Sequence, residues 1–264
     1  MSIIHHINQA SYEEMRPPIS VFDIRHDSHY VRKNEGKKMI RKIYNNVEFT
    51  EFEKHQIQEF KKTIKEHKFD IPKEWTDIEI LKFAYSKRFD LKKSAEVLAK
   101  HLKWRADPNT GGLTEGGLHL LKEGIVYLAG RAHGYRPIIA INLHKCDAKK
   151  TKMEDFTDAV VYILKLAQKY CFVPYHVENW VIILECDGAG LTDFPRKFVS
   201  KITEVTTTNF QSTLEKMFIM NPSWFAKILY EGAKLLLDPD TVSKIALLRK
   251  GGYKEMLDTI PIDQ

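Results

Sequence analysis

Long hydrophobic runs are absent from this sequence. No stretch approaches the roughly 20 apolar residues that a transmembrane helix requires. The first residues, Met1 to Asn8, have neither the charged start nor the apolar core of a secretory signal. Glu13 and Glu14 also argue against a typical mitochondrial presequence. We therefore predict a cytoplasmic or peripheral membrane protein, and an organelle-associated assembly, mitochondrial or ciliary, stays an open alternative.

Cysteine is scarce as well. The three cysteines, Cys146, Cys171 and Cys186, form no Cys-x-x-Cys pair and no zinc-binding pattern. Cys171 and Cys186 stand in apolar contexts, where a buried, unreactive thiol is the usual outcome. These features favour a reducing compartment and predict neither a disulfide framework nor a metal site.

Catalytic and nucleotide-binding motifs are also missing. The glycine-rich stretch from Gly111 to Gly117 follows no predicted strand and lacks the spacing of a dinucleotide fingerprint. No phosphate-binding Gly-x-x-x-x-Gly-Lys-Ser/Thr loop and no Gly-x-Ser-x-Gly turn occurs. His26 and His29 could share a helical face, but further metal ligands at a set spacing are lacking. The sequence therefore predicts a protein that is not an enzyme and that needs no cofactor.

The composition is that of a folded protein with a basic surface. Of 264 residues, 43% are hydrophobic and 29% are charged, and the formal net charge is +6. A positive charge favours contact with acidic surfaces. The basic residues are spread along the chain, and no basic motif is interleaved with aromatic residues, so nucleic acid is not an expected partner. Solvated faces and contacts with anionic lipid headgroups both stay compatible with the basic runs.

Helical patterns follow one another in the first half of the chain. Glu51 to Lys68 has apolar residues at helical spacing. Thr76 begins a capping box that predicts a helix to about Lys87, and Asp90 can cap the helix after it. The sequence therefore predicts a small amino-terminal helical bundle.

Three regions are predicted along the chain: an extension over residues 1–48, the helical region over 49–110 and an α/β domain over 111–264. Residues 1 to about 45 show little periodicity and are interrupted by Arg16-Pro17-Pro18. We expect this part of the extension to be ordered only against a partner.

The second half of the chain alternates between strands and helices. Apolar runs predict strands at residues 126–129, 137–143, 180–184, 217–220 and 245–248. Amphipathic patterns predict helices between these strands, one of them with Pro195 in its first turn. Because such alternation is typical of parallel strands joined by helical crossovers, we predict an α/β fold with a mostly parallel sheet flanked by helices.

The helix predicted over Trp224 to Leu237 is apolar on more than one side. Asn221 is its predicted cap and Pro222 suits its first turn. A helix of this kind either lies within a core or covers an apolar cavity, and periodicity alone leaves both alternatives open.

Six short motifs stand in order between about Phe49 and the end of the chain. They are Ile80-Leu81-Lys82-Phe83 with Lys87-Arg88-Phe89-Asp90, the helix ending in Trp104-Arg105, Gly134-Tyr135-Arg136-Pro137, Val181 to Gly188, Asn221-Pro222 with its apolar helix, and Leu236-Leu237-Asp238-Pro239-x-Thr241-x-x-Lys244-Ile245. This order resembles the CRAL-TRIO lipid-binding family, which includes phosphatidylinositol and tocopherol transfer proteins and retinaldehyde-binding proteins.

The resemblance implies the residues of a lipid site. An apolar pocket closed by a gate helix would be lined by Trp180, Ile182, Leu184, Met217, Ile219, Phe225, Ile228, Leu229, Ile245 and Leu247. The lipid headgroup would meet Lys87, Thr241 and Lys244, together with Ser212 and Thr213. The last two stand where many members carry Tyr-Pro-Glu-Arg, and their lack of a carboxylate and a guanidinium departs from the phosphoinositide pattern. Trp180 is also large enough to fill part of the pocket.

Two functions follow from this comparison. The first is non-enzymatic binding, and transfer at a transient membrane surface, of a hydrophobic ligand such as a phospholipid. The second is a structural subunit of a large protein assembly that keeps the fold and docks through residues 1–45 and its basic surface. The ligand, the partner and the oligomeric state cannot be named from the sequence.

Overall fold

The computed structural model of the chain describes residues 14–35, 38–147, 149–187, 196–249 and 251–261. At positions 34, 35, 38 and 225 it describes the backbone alone. Pro195 and Gly188, which figure in the predictions above, lie outside the described residues.

An amino-terminal arm, defined here as residues 14–35 and 38–48, precedes the helical bundle. It contains a 3₁₀ turn at Ile19–Asp23, helix α1 at Ser28–Val31, and strands β1 at Arg32–Glu35 and β2 at Lys38–Arg41. The two strands form an antiparallel hairpin. The arm packs on the rest of the same chain, which differs from the expectation that it is ordered only against a partner.

The bundle consists of three helices. They are α2 at Glu51–Glu66, α3 at Asp77–Ser86 and α4 at Leu91–Ala106. The predicted capping box at Thr76 and the cap at Asp90 are confirmed, since both side chains accept backbone N–H groups of the first turn. Phe60, Leu81 and Leu98 are fully buried where the three helices meet.

A five-stranded sheet forms the second half of the chain, in the order β3-β4-β5-β6-β7. Helix α5 (Glu115–Lys122) is followed by β3 (Val126–Ala132), β4 (Arg136–Asn142), α6 (Met153–Leu166), β5 (Trp180–Glu185), α7 (Arg196–Asn209), β6 (Leu214–Met220), α8 (Trp224–Lys234), α9 (Pro239–Ser243), β7 (Ile245–Leu248) and α10 (Lys254–Leu257). Only β3 runs antiparallel to its neighbour, and the other pairs are parallel. The predicted α/β class with a mostly parallel sheet is confirmed.

The apolar residues of the parallel strands form two rows in register across the sheet. Ile139, Ile182, Met217 and Ile245 are the first row, nearer the amino ends of the strands, and Ile141, Leu184, Ile219 and Leu247 are the second. Because alternate residues of a strand share a face, both rows point to the same side. Helices α6 and α7, and Ala226 and Tyr230 of α8, pack over that side.

The other face of the sheet is covered by the last described residues. Ile138, Val181 and Phe218 are buried there, against Ile260 and the ring of Tyr253. The cavity described below therefore lies on the helix-covered side.

The start and the end of the predicted apolar helix need correction. Ser223, rather than Asn221, caps α8 by accepting the Ala226 N–H. Asn221 instead takes a left-handed backbone conformation (φ 48°) directly after β6, where its side chain bonds Glu185. The helix ends at Lys234, and the residues to Leu237 form turns before the short helix that Asp238 caps. None of the described helices is both long and apolar enough to cross a membrane.

Candidate functional site

A cavity of about 230 Å³ lies between the sheet, α7, the arm and the segment after α8. One water needs only roughly 10–15 Å³ of such space, so this is far larger than a packing defect. Residues from three parts of the fold line three of its sides. The floor is the first row of the sheet, the arm contributes Met39, Ile40, Arg41 and Tyr44, and the opposite rim carries Leu236, Leu237, Asp238, Asp240, Thr241 and Lys244.

The floor is apolar because of the strand register. All four members of the first row border the cavity. Three of them, Ile182, Met217 and Ile245, were predicted to face the ligand. Members of the second row that were predicted there, Leu184, Ile219 and Leu247, pack in the core of the same face and lie outside the cavity.

Trp180 borders the cavity without filling it. Its side chain is 2% exposed and packs on the rings of Phe172 and Phe210, with centroid separations of 5.5 and 5.8 Å. These two contacts hold the indole against the wall, so that the space beside it stays open. Trp180, which was predicted to fill part of the pocket, therefore forms part of the cavity wall and does not close the cavity.

The predicted headgroup residues gather at the polar rim. Lys87, Ser212, Thr213, Thr241 and Lys244 all border the cavity, although they come from three separate parts of the chain. Lys87 ends α3, and its ammonium has no hydrogen-bond or ion-pair partner within the part of the chain that the structure describes. Lys244 ends α9 and donates from Nζ to the Leu214 carbonyl at 2.7 Å.

Burial gives Lys244 an unusual environment. Removal from water lowers the pKa of its ammonium, and Lys42 nearby acts in the same direction, while Glu215, Asp238 and Asp240 oppose it. An ammonium carries three donors, and one described bond uses only one of them. Lys244 is therefore a half-buried cation with donor capacity left for a ligand oxygen.

The predicted hydroxyl residues Ser212, Thr213 and Thr241 differ in whether their proton is already used in a hydrogen bond within the protein. Thr213 donates to the Phe210 carbonyl at 2.9 Å, and Thr241 donates to Asp238 Oδ2 at 2.6 Å. Asp238 is also the N-cap of α9, so these two protons are used within the protein. Among the residues that the structure describes, the Ser212 hydroxyl has one partner, the Tyr44 hydroxyl at 2.8 Å.

Two of the three predicted pocket residues on α8 do not border the cavity, and the side chain of the third is not described. Ile228 is 46% exposed, Leu229 is half-buried, and neither borders the space. The side chain of Phe225 lies outside what the structure describes. Their assignment to a lipid pocket stays a prediction.

The surface of this segment is unusually apolar. We call residues 224–244 the gate segment. Trp224 is 73% exposed, Leu235 84% and Leu236 57%. Large apolar side chains exposed in one neighbourhood typically mark a docking surface for a membrane, a protein or a ligand.

Sequence reasoning missed the residues that the arm and α7 contribute. Nothing in the sequence places the arm beside the sheet, because its partners there, such as Glu178 and Ser212 for Tyr44, are more than a hundred residues away. The α7 residues Thr203, Thr206 and Thr207 also border the cavity. Their spacing puts them on one helical face, and this pattern could have identified them.

The fold is α/β, with a partly open cavity on the helix-covered side of the sheet. A family model for the CRAL/TRIO domain matches residues 121–264. The chain belongs to the CRAL/TRIO domain family, which confirms the resemblance found in the sequence.

Similar proteins extend the comparison. Phosphatidylinositol/phosphatidylcholine transfer protein SFH4 of Arabidopsis thaliana is 28% identical over 203 residues, 70% of this chain but only 33% of SFH4. Sec14 cytosolic factor of Schizosaccharomyces pombe is 23% identical over 205 residues, 71% of each chain. The crystal structure of Sfh5 superposes with a TM-score of 0.61 at 15% identity, covering 81% of this chain and 85% of that one. At that identity the likeness to Sfh5 shows the fold alone.

Proposed function

We propose that this protein binds a phospholipid in the cavity and exchanges it at a membrane surface, without catalysing a reaction. The observation that supports this most is the combination of an apolar floor with a rim that carries two lysines and a hydroxyl pair. Relatives named for phosphatidylinositol and phosphatidylcholine transfer are consistent with such a ligand.

The energetics of lipid transfer require an enclosed site. Burying one CH₂ group contributes ~0.8 kcal/mol, so the roughly 30 methylenes of a two-chain lipid lose ~20 kcal/mol or more on entering water. A carrier must therefore surround the tails and open only where it meets a bilayer. The first row of the sheet offers the floor that this requires.

The present cavity is smaller than a whole phospholipid needs. Its 230 Å³ is below the roughly 300–1,000 Å³ of typical small-molecule pockets. We propose that the gate segment moves outward when lipid enters, which would bring the predicted residues Phe225, Ile228 and Leu229 to the tails. Its exposed side chains would meanwhile enter the interfacial layer of the membrane, as amphipathic helices do.

Lipid extraction tests the proposal. The full chain, incubated with phospholipid vesicles and purified away from them, should carry about one lipid per protein by native mass spectrometry. Ile182→Phe narrows the cavity from its floor and should lower lipid occupancy. The matched variant Ile183→Phe, on the opposite face of the same strand, should not. Wild-type protein free of lipid after this treatment would rule the proposal out.

A structural subunit that docks through residues 1–45 is the alternative. Its support is weaker, because the described part of that segment is bonded to its own chain through buried contacts such as Tyr44 N–H to Glu178. Ile19, which is 87% exposed, and the basic surface are what this alternative would use. Ile19→Glu alters this exposed surface without touching the cavity wall, and loss of a large complex at unchanged lipid content in this variant would favour the alternative.

A further inference from the structure

Tyr44 brings a buried hydroxyl from the arm to the polar end of the cavity. The residue is almost fully buried and borders the cavity. Its backbone N–H donates to Glu178 at 2.9 Å, and its ring meets that of Tyr85 edge to face. These contacts fix the ring without using the hydroxyl, which lies 2.8 Å from Ser212 Oγ.

The hydroxyl pair has one proton to spare. Each hydroxyl carries a single donor, and only one proton can lie between the two oxygens. Neither hydroxyl has a second hydrogen-bond partner among the described residues, so the other proton is free for an acceptor in the cavity. Burial raises the pKa of Tyr44, which keeps its proton on the oxygen.

The backbone at Ser212 is consistent with a positioned group. Its φ of 59° lies in the left-handed region, which is costly for residues other than glycine and is often found at ligand sites. This turn immediately precedes β6 and holds Ser212 opposite Tyr44.

The charges around the cavity favour an acceptor with one negative charge. Among the side chains that border it, Arg41 is paired with Glu53 at 2.9 Å and Asp240 with Arg88 at 3.0 Å. The charges that are left belong to Lys87, Lys244 and Asp238, which amounts to one net positive charge. A phosphodiester supplies one negative charge and several acceptor oxygens.

We infer that Tyr44 is a ligand-contacting, specificity-determining residue, which with Ser212 donates a hydrogen bond to the phosphodiester of a bound lipid. This inference rests on the proposed function and adds to it. The arm is then part of the binding site, and it selects a lipid with a phosphodiester over a neutral lipid that has the same tails.

A competition between two lipids tests the inference. The full chain is incubated with vesicles that contain equal amounts of dioleoylphosphatidylcholine and dioleoylglycerol, and native mass spectrometry gives the ratio of the two bound lipids. Tyr44→Phe removes the hydroxyl and keeps the ring, and Ser212→Ala removes its partner. In each single variant the remaining hydroxyl keeps its own proton but loses the neighbour that orients it, so the phosphatidylcholine preference should fall. The double variant Tyr44→Phe/Ser212→Ala removes both donors and should lower the preference further, roughly tenfold, since a hydrogen bond to a charged group contributes about that much selectivity.

Tyr30→Phe is the matched control. Tyr30 also belongs to the arm and donates to Glu215 at 3.3 Å, but it does not border the cavity. Its loss should lower the melting temperature and leave the lipid ratio unchanged, as a purely structural role predicts. An unchanged ratio in Tyr44→Phe and Ser212→Ala, or an equal change in Tyr30→Phe, would overturn the inference while leaving the proposed function intact.

An excess of inorganic phosphate distinguishes the lipid from free phosphate. If the site binds the phosphodiester as part of the lipid, phosphate should not displace phosphatidylcholine. Displacement, together with protection of the wild type but not of Tyr44→Phe against heat, would show a site for free phosphate and overturn the assignment to a lipid. Wild-type protein that binds neither lipid would instead contradict the proposed function.

Discussion

The arm and the gate segment border the same cavity and are held in opposite ways. The arm is fastened by buried polar contacts, among them the Arg41–Glu53 ion pair and the bonds of Glu178 to Tyr44 and Asn45. The gate segment carries exposed apolar side chains at Trp224, Leu235 and Leu236, and Ala226 and Tyr230 are the described α8 side chains that pack on the core. Under the function proposed above, the gate segment is the part that would open, and the arm is the part that would stay in place and select the lipid.

Hydrogen exchange should show the largest difference between the two regions. Amides of the arm such as Lys42 N–H and Tyr44 N–H, bonded to Val31 and Glu178, should open only with the core. Amides of α8 should open locally. Because opening free energies within one protein range from near zero to the global stability, we expect roughly a thousandfold faster exchange in α8. Equal exchange rates in the arm and in α8 would show that the two regions are held equally firmly.

Removing the buried ion pair should have the next largest effect. Arg41→Met takes away the buried partner of the Glu53 carboxylate, both side chains being 0% exposed in the pair. Losing one partner of a buried pair costs about 3–5 kcal/mol of unfolding free energy, and we expect the lower end of this range because Arg32 still lies 3.3 Å from the carboxylate. Urea unfolding followed by circular dichroism measures it. Lys54→Ala, which removes a pair that lies in solvent, should give no measurable change. A stability near wild type for Arg41→Met would show that the arm is not held this way.

Membrane association should depend on the gate segment. Trp224→Ala or Leu235→Ala removes an exposed side chain whose burial in lipid is worth about 1.5–3 kcal/mol, so vesicle affinity should fall about tenfold or more. Protein stability should stay unchanged because both side chains are already exposed. Vesicle cosedimentation provides the measurement. Ile19→Ala, on the arm, is the control, and an equal loss there would place the membrane contact elsewhere.

Acid should weaken the arm slightly and leave the gate segment unaffected. Burial lowers the pKa of His26 below 6.5, and Arg136 and His176 add to this, while the bond to the His176 carbonyl and the charge of Glu178 oppose it. Because the pKa of His26 is lower in the folded chain than in the unfolded chain, protonating this residue destabilises the fold. The contribution of neutral His26 to stability is complete above pH 6.5 and is lost as the pH falls toward the folded pKa. Much of the ring faces solvent, so we expect less than about 1 kcal/mol.

Thermal unfolding at pH 7 and pH 5 measures this effect. His26→Gln should show a smaller decrease in melting temperature than wild type over that interval, and residues 224–244 contain no histidine. An identical pH dependence in the variant would remove His26 from the explanation.

The starts of the bundle helices were predicted well from the sequence, because the residues that cap a helix lie within a few positions of its first turn. The capping box at Thr76 and the cap at Asp90 are examples, and both act within one helical turn. The end of α8 was missed because the run Leu235 to Leu237 continues the apolar pattern. In the structure Asp238 is extended and caps the next helix, and this stops the first one.

The cavity could be predicted only in part. The family resemblance, together with the alternation along the strands, identified Ile182, Met217 and Ile245, but neither tells which row of the sheet faces open space. That depends on where α7, the arm and the gate segment lie. Tyr44 was missed because its partners, Glu178 and Ser212, are 134 and 168 residues away. The predicted roles of the headgroup residues and the region boundaries stay predictions.

The ion pair between Arg41 and Glu53 also links two functions that a domain description would separate. Glu53 belongs to the first bundle helix, and its carboxylate also accepts the Tyr85 hydroxyl at 2.7 Å. Arg41 belongs to the cavity wall. A chain shortened to begin at Phe49 would therefore lose one side of the cavity. It would also leave the Glu53 carboxylate buried in the bundle without its arginine partner. The smallest portion that can be isolated with its lipid selectivity intact should begin ahead of the arm, since the arm contacts both the bundle and the sheet half of the chain.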